Sequence, residues 1–106
     1  MIKPFFVWQN KVLKRIDPAM VMCLYTEKNY TKIFLSDKTY YLVRSSLSGA
    51  LKKLPPDMFI RIHNSLVASI YFIDVIAKDH LLIGGEPVPI GRKYYNASIK
   101  RLNIIE

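Results

Sequence analysis

Short apolar runs, each closed by a turn signal, make up most of this chain, and they leave room for little except small β-sheets. Phe5 to Gln9 and Val12 to Ile16 read as two strands joined near Asn10-Lys11. Asp17-Pro18 follows, a cap and first position good for one helical turn. Val21 to Thr26 is a near-continuous apolar strand, suited to the middle of a sheet, and Glu27-Lys28-Asn29 makes a polar loop after it. Tyr30 to Leu35 and Thr39 to Val43 flank a turn at Ser36-Asp37-Lys38, and Phe72 to Ala77 and His80 to Ile83 form a hairpin around Lys78-Asp79. Gly84-Gly85 is a further turn. Val88 and Ile90 form a short strand with Pro87 and Pro89, hence an edge, because proline has no N–H for a neighbour.

Beyond the single turn at Asp17-Pro18, helices have two places. Ser45-Ser46 can cap one that runs to about Leu54, with Leu47, Leu51 and Leu54 on one face and Pro55-Pro56 to end it. Gly91 opens a last helix on which Tyr95, Ile99 and Leu102 share a face. The expected class is therefore mostly β with minor α. Short strands form several small packed sheets, with one internal helix and one C-terminal helix, in a single domain over residues 1–106.

Half of the residues are hydrophobic, enough for a small core whose stability is on the order of 5–15 kcal/mol. Sixteen Lys plus Arg stand against eight Asp plus Glu, a net charge of +8. That field favours a polyanion: DNA, RNA or an anionic membrane surface. One cysteine, Cys23, cannot form an internal disulfide; it sits in an apolar run and fits a reducing cytoplasm. No apolar run approaches membrane-spanning length, and the N-terminus lacks a signal-peptide pattern. A strand-like run beginning almost at Met1 suits a small stand-alone protein or a piece of a longer one.

The polar groups concentrate after one strand. In Phe59-Ile60-Arg61-Ile62-His63, Ile60 and Ile62 lie on one face and Phe59, Arg61 and His63 on the other; Asn64-Ser65 then interrupts the alternation as a turn. A cation, an imidazole and a carboxamide thus crowd a strand end, and such groups suit phosphates and base edges. Asn64 can accept from adenine N6 and donate to N7, or serve its own turn. His63 reads first as a structural hydrogen-bonder that supports the Asn64 turn. Arg92 at a helix start gains nothing from the helix dipole, which leaves its guanidinium for guanine or phosphate. Tyr30 is a core aromatic or a base contact; Lys28 and Lys32 suit phosphate. Lys93 and Lys100 share a face of the last helix, with Arg101 beside them.

Together these segments resemble the LytTR family of bacterial DNA-binding domains. The resemblance rests on Arg61-x-His63-x-Ser65 with Val67 after it, on Asn29-Tyr30 at the start of a strand, on the Ser46-to-Leu54 helix ending at Pro55, and on Pro89-Ile90-Gly91-Arg92 before the last helix. It covers nearly the whole chain in order. It implies an elongated fold of about ten short strands, commonly placed after a receiver domain in bacterial two-component response regulators. Family members bind promoter DNA at paired direct repeats through loops in successive major grooves. Carried over, Asn64, Arg92 and the Asn29-Tyr30 loop supply base contacts, while His63 belongs to the signature. Ser69 stands where the family usually has Asn, and Gly91 where it usually has Ser.

Enzyme readings find no support: there is no His/Cys/carboxylate set with ligand spacing, no phosphate-binding glycine loop and no nucleophile elbow. No catalytic residue, metal or cofactor is expected, and a receiver's acidic phosphorylation pocket is missing from the sequence. The expected function is sequence-specific binding of duplex DNA by a transcriptional regulator, with Asn29, Tyr30, Lys32, Arg61, His63, Asn64, Arg92 and Lys93 as the contact set. One alternative is a basic β-domain that binds RNA or single strands by aromatic stacking. Another is a protein-interaction domain whose charge serves solubility. With no heptad seam, and with both helical faces needed to cover sheets, the isolated domain is expected to be a monomer.

Overall fold

Ten strands form where the short runs lie, and they assemble into three separate antiparallel sheets. The structure, a computed structural model, describes residues 2–106. β1 (Phe5–Gln9) and β2 (Val12–Ile16) make a hairpin whose turn residues Asn10 and Lys11 have φ of 51° and 68°. Such left-handed pairs match the twist of the strands they join. The middle sheet holds β3 (Val21–Glu27), β4 (Tyr30–Leu35), β5 (Tyr40–Val43), β6 (Phe59–His63) and β7 (Leu66–Ser69), in the order β5-β4-β3-β7-β6. The apolar Val21 run is indeed its central strand. β8 (Ile73–Ile76), β9 (His80–Ile83) and β10 (Glu86–Pro89) form the third sheet, with the proline-bearing β10 at an edge. Side by side, these small sheets give a body of 47 × 32 × 24 Å.

The middle sheet separates two cores. On one face Val21, Leu24, Ile33, Phe59 and Val67 meet Val7 and Ile16 of the hairpin and Leu47 of α1 (Leu47–Leu51). On the other, Ile60, Ile62, Leu66 and Ala68 meet Leu81 and Ile83 of the third sheet, and Ile90. Period-two alternation thus sends Phe59 to the first core and its neighbour Ile60 to the second. Burial on both faces accounts for the near-continuous apolar strands. Burying a side chain such as Phe59 is worth about 1.5–3 kcal/mol. Half-buried Cys23 faces the second core, and burial pushes its thiol up to about 11, so it is not a thiolate at neutral pH.

The helices depart from expectation in instructive ways. Ser46 caps α1, accepting the Gly49 N–H at 2.9 Å, but α1 ends at Leu51; Leu54 is buried from the turn that follows. On the last helix, α2 (Arg92–Ile99), Tyr95 packs against the second core, while Tyr95, Ile99 and Leu102 all stay half-buried. Its fully buried residue is Ser98. α2 lies along the outer edge of β6 and binds its free carbonyls. The Gly91 N–H donates to Ile62 O at 2.7 Å, Ser98 Oγ to Arg61 O at 3.4 Å, and Arg101 Nη1 to Phe59 O at 2.9 Å. A helix that covers a sheet edge needs donors more than apolar area, because unpaired edge groups are what must be satisfied.

Candidate nucleic-acid interface

Three chain segments meet at the end of β6: the Lys28-Asn29 turn between β3 and β4, the Asn64-Ser65 turn between β6 and β7, and the start of α2. The Thr26 N–H donates to Ser65 O at 3.0 Å, which ties the first two together. The Gly91 bond to Ile62 O fixes the third. An open depression of about 430 Å³ lies between Lys28, Asn29, Ser46, Ser48, Arg61 and Asn64. A second, of about 610 Å³, lies between His63, Asn64, Arg92, Lys93, Tyr94 and Asn96. Asn64, exposed, is the divider common to both. Lys28 has φ of 55°, the left-handed conformation that the two-residue hairpin turn between Glu27 and Tyr30 favours.

Arg61 builds the Asn64 turn. Its Nε donates to His63 O at 2.9 Å, Nη1 to Ser48 Oγ at 3.1 Å, and Nη2 to Asn64 O. The guanidinium is the planar fork that can reach two successive carbonyls and α1 together. His63 supports the same turn: Nδ1 accepts the Ser65 N–H at 3.2 Å and lies 3.0 Å from Ser65 Oγ. With Nδ1 accepting, the neutral ring carries its proton on Nε2. The structural reading of His63 is therefore the one its contacts support. The Asn64 side chain is held from α2, where Tyr94 Oη donates to Asn64 Oδ1 at 2.7 Å.

Arg92 and Lys93 are exposed at the first turn of α2, with the Lys93 ammonium 5.2 Å from the Tyr94 ring centre. Among the described residues the one ion pair is His80–Asp79, so no Lys or Arg is neutralised by a carboxylate. Gly91 caps α2 without a side-chain bond. No group of three His, Cys, Asp or Glu among the described residues could hold a metal ion.

Tyr30 and Lys32 go elsewhere. They alternate with buried Thr31 and Ile33, so they share the opposite face of β4 from the α1 side. The Lys32 ammonium sits 3.9 Å over the Tyr40 ring and 5.6 Å from that of Tyr25; hydrogen bonding with the Tyr25 side chain raises its pKa. Tyr30 lies under Arg44 at 5.7 Å. The fold thus gathers Asn29, Asn64, Arg92 and Lys93 at one end and leaves Tyr30 and Lys32 on a separate face. Tyr94 and Ser48 escape sequence reasoning. Nothing in the order of residues signals that a tyrosine 30 positions beyond Asn64 returns to its side chain.

The family model for the LytTr DNA-binding domain matches residues 11–103. Among solved structures, the fold is similar to the LytTr DNA-binding domain of a Bacillus cereus protein described as a methyl-accepting/DNA response regulator. The TM-score is 0.80 and the identity 23%, over 95% of this chain and 97% of that one, a likeness of fold. No curated protein matches. Among the described residues no helix is long and apolar enough to cross a membrane. Because the family model spans all but the ends of the chain, this protein belongs to the LytTR family of DNA-binding domains.

Proposed function

We propose that this domain is the output part of a bacterial transcriptional regulator of the two-component type, reading duplex DNA at paired direct repeats in the cytoplasm. The observation that carries the reading is the convergence of Asn29, Asn64 and Arg92 on one end of the fold, among cations without carboxylate partners. Lys28 and Lys93 supply attraction to phosphates, and Asn64 and Arg92 read bases in the major groove. Arg61 and His63 hold the Asn64 turn. The signal comes from outside this chain, through an attached receiver where one is present.

Binding of RNA or single strands by stacking has one feature in its favour, the half-open face with Tyr30, Phe34 and Tyr40. There Lys32 already occupies the Tyr40 ring, which weighs against a base on it. The test is selection of bound duplexes from a random pool, with single strands and RNA as competitors. Asn64→Ala and Arg92→Ala should each lose about 1–3 kcal/mol of discrimination at a separate base position. If both variants select the wild-type site with unchanged preference, these residues do not read bases. If RNA or single strands compete best, the duplex reading fails.

Paired binding carries a geometric requirement on the spacing of the two sites. Binding by the full regulator should favour repeats about two helical turns apart, because sites on one face recur every 10–10.5 bp or so. Moving the repeats by about half a turn, roughly 5 bp, should lower occupancy far more than adding a whole turn. Quantitative footprinting would show this, and equal occupancy at both spacings would count against paired binding.

A further inference from the structure

We propose that Tyr94 sets the specificity of this domain: its hydroxyl fixes which way round the Asn64 carboxamide faces the DNA, and Gly91 makes room for it to do so. The inference rests on the reading of Asn64 as a base contact.

A carboxamide is nearly symmetric in shape and opposite in chemistry at its two ends. Half a turn about its terminal bond exchanges an acceptor for a pair of donors. The two orientations read different bases. With oxygen toward the 6-position of a purine, Asn64 accepts from adenine N6 and donates to N7. Reversed, its NH₂ group meets the 6-position and can donate to guanine O6. An exposed asparagine free to rotate would accept both purines. Asn64 is exposed, and its oxygen is held by Tyr94 Oη at 2.7 Å. That bond uses one of the two lone pairs on Oδ1, so the second lone pair and both N–H groups stay available for a base edge. The Tyr94 hydroxyl has no other hydrogen bond among the described residues. Reversal would turn that bond round, with the carboxamide N–H donating to the phenolic oxygen; once DNA excludes water from the cleft, the hydroxyl proton is then left without an acceptor, which is the costlier arrangement.

The ring that delivers the hydroxyl is placed by residue 91. A Cβ on Gly91 would lie 2.9 Å from Tyr94 Cδ2, closer than such atoms approach, and 3.6 Å from Ile62 O. The Gly91 backbone, at φ −68° and ψ 140°, is open to any residue, so the glycine serves space and not backbone freedom. Its amide is also anchored to Ile62 O at 2.7 Å, which stops the segment from backing away. A side chain at 91 therefore has to displace the Tyr94 ring and with it the hydroxyl.

The experiment compares wild type, Asn64→Ala, Tyr94→Phe and Gly91→Ala by selection from a random duplex pool, followed by competition between duplexes that differ only by adenine or guanine at the Asn64-dependent position. Wild type should prefer adenine there by roughly 5- to 150-fold. Tyr94→Phe and Gly91→Ala, which remove the hydroxyl and shift the ring respectively, should each reduce that preference to within about threefold. Preferences at the other positions serve as the internal reference and should hold. An unchanged adenine preference in Tyr94→Phe, at a position where Asn64→Ala erases it, overturns the role of Tyr94 and leaves Asn64 as a base reader. Equal loss at every position also overturns it, since that is what a merely structural tyrosine would produce. If Asn64→Ala alters no position, the reading of Asn64 itself fails.

Discussion

Replacing Arg61 by methionine should destabilise the domain by about 2–4 kcal/mol and abolish base selection together. Three hydrogen bonds to a half-buried guanidinium are lost, and bonds to a charged donor are worth about 1.5–3 kcal/mol each before relaxation and solvent recover a part. For a chain of this size the melting temperature should fall by about 10–25 °C. Arg61→Lys decides between two roles. A lysine keeps the charge but cannot reach His63 O, Asn64 O and Ser48 Oγ at once. If Arg61 worked by touching DNA, lysine would restore most of the binding. If it braces the turn, Arg61→Lys should melt and select almost as poorly as Arg61→Met. Thermal melts followed by circular dichroism, run beside the selection assay, separate the two.

Affinity for duplex DNA should collapse with salt. A net charge of +8, with no Lys or Arg paired to a carboxylate among the described residues, leaves cations free to displace counterions from phosphates. If about four to six phosphates are neutralised, log K should fall against log salt with a slope of roughly −4 to −5. Between about 50 and 200 mM salt that is a loss on the order of 250- to 1,000-fold. Fluorescence anisotropy on a labelled duplex measures it directly. Lys93→Ala should lower affinity for all sequences alike and make the slope shallower by about one. A slope near zero would mean that phosphates are not the partner, whatever the fold.

Both experiments probe a site whose parts were unequally visible. The Arg61-x-His63-Asn64-Ser65 cluster announces itself because polar groups crowd a strand end. Its division of labour does not. Whether Arg61 faces DNA or its own turn depends on Ser48 of α1 lying beneath it, a neighbour supplied by packing. Tyr30 and Lys32 follow the Lys28-Asn29 turn closely in sequence, yet strand alternation carries them to another face. The role of Arg101 as a donor to Phe59 O was equally hidden, because a basic residue at a helix end looks solvated until the strand edge beside it is known.

Local rules were enough to place most of the strands, their turns and the edge position of β10, because those depend on period-two patterning, positive-φ turn residues and the missing N–H of proline. Net charge likewise pointed to a polyanion without a fold, and the resemblance carried by the short motifs narrowed that to DNA. Three things required the tertiary structure. One is the middle sheet as a partition between two cores, since a continuous apolar run does not say which residue goes to which side. Another is α2 as an edge cover held by hydrogen bonds, since edge carbonyls leave no mark in hydropathy. The last is the meeting of Asn64 with Tyr94 and Gly91, since contacts between distant positions are set by how sheets and helices stack, and no local preference encodes them.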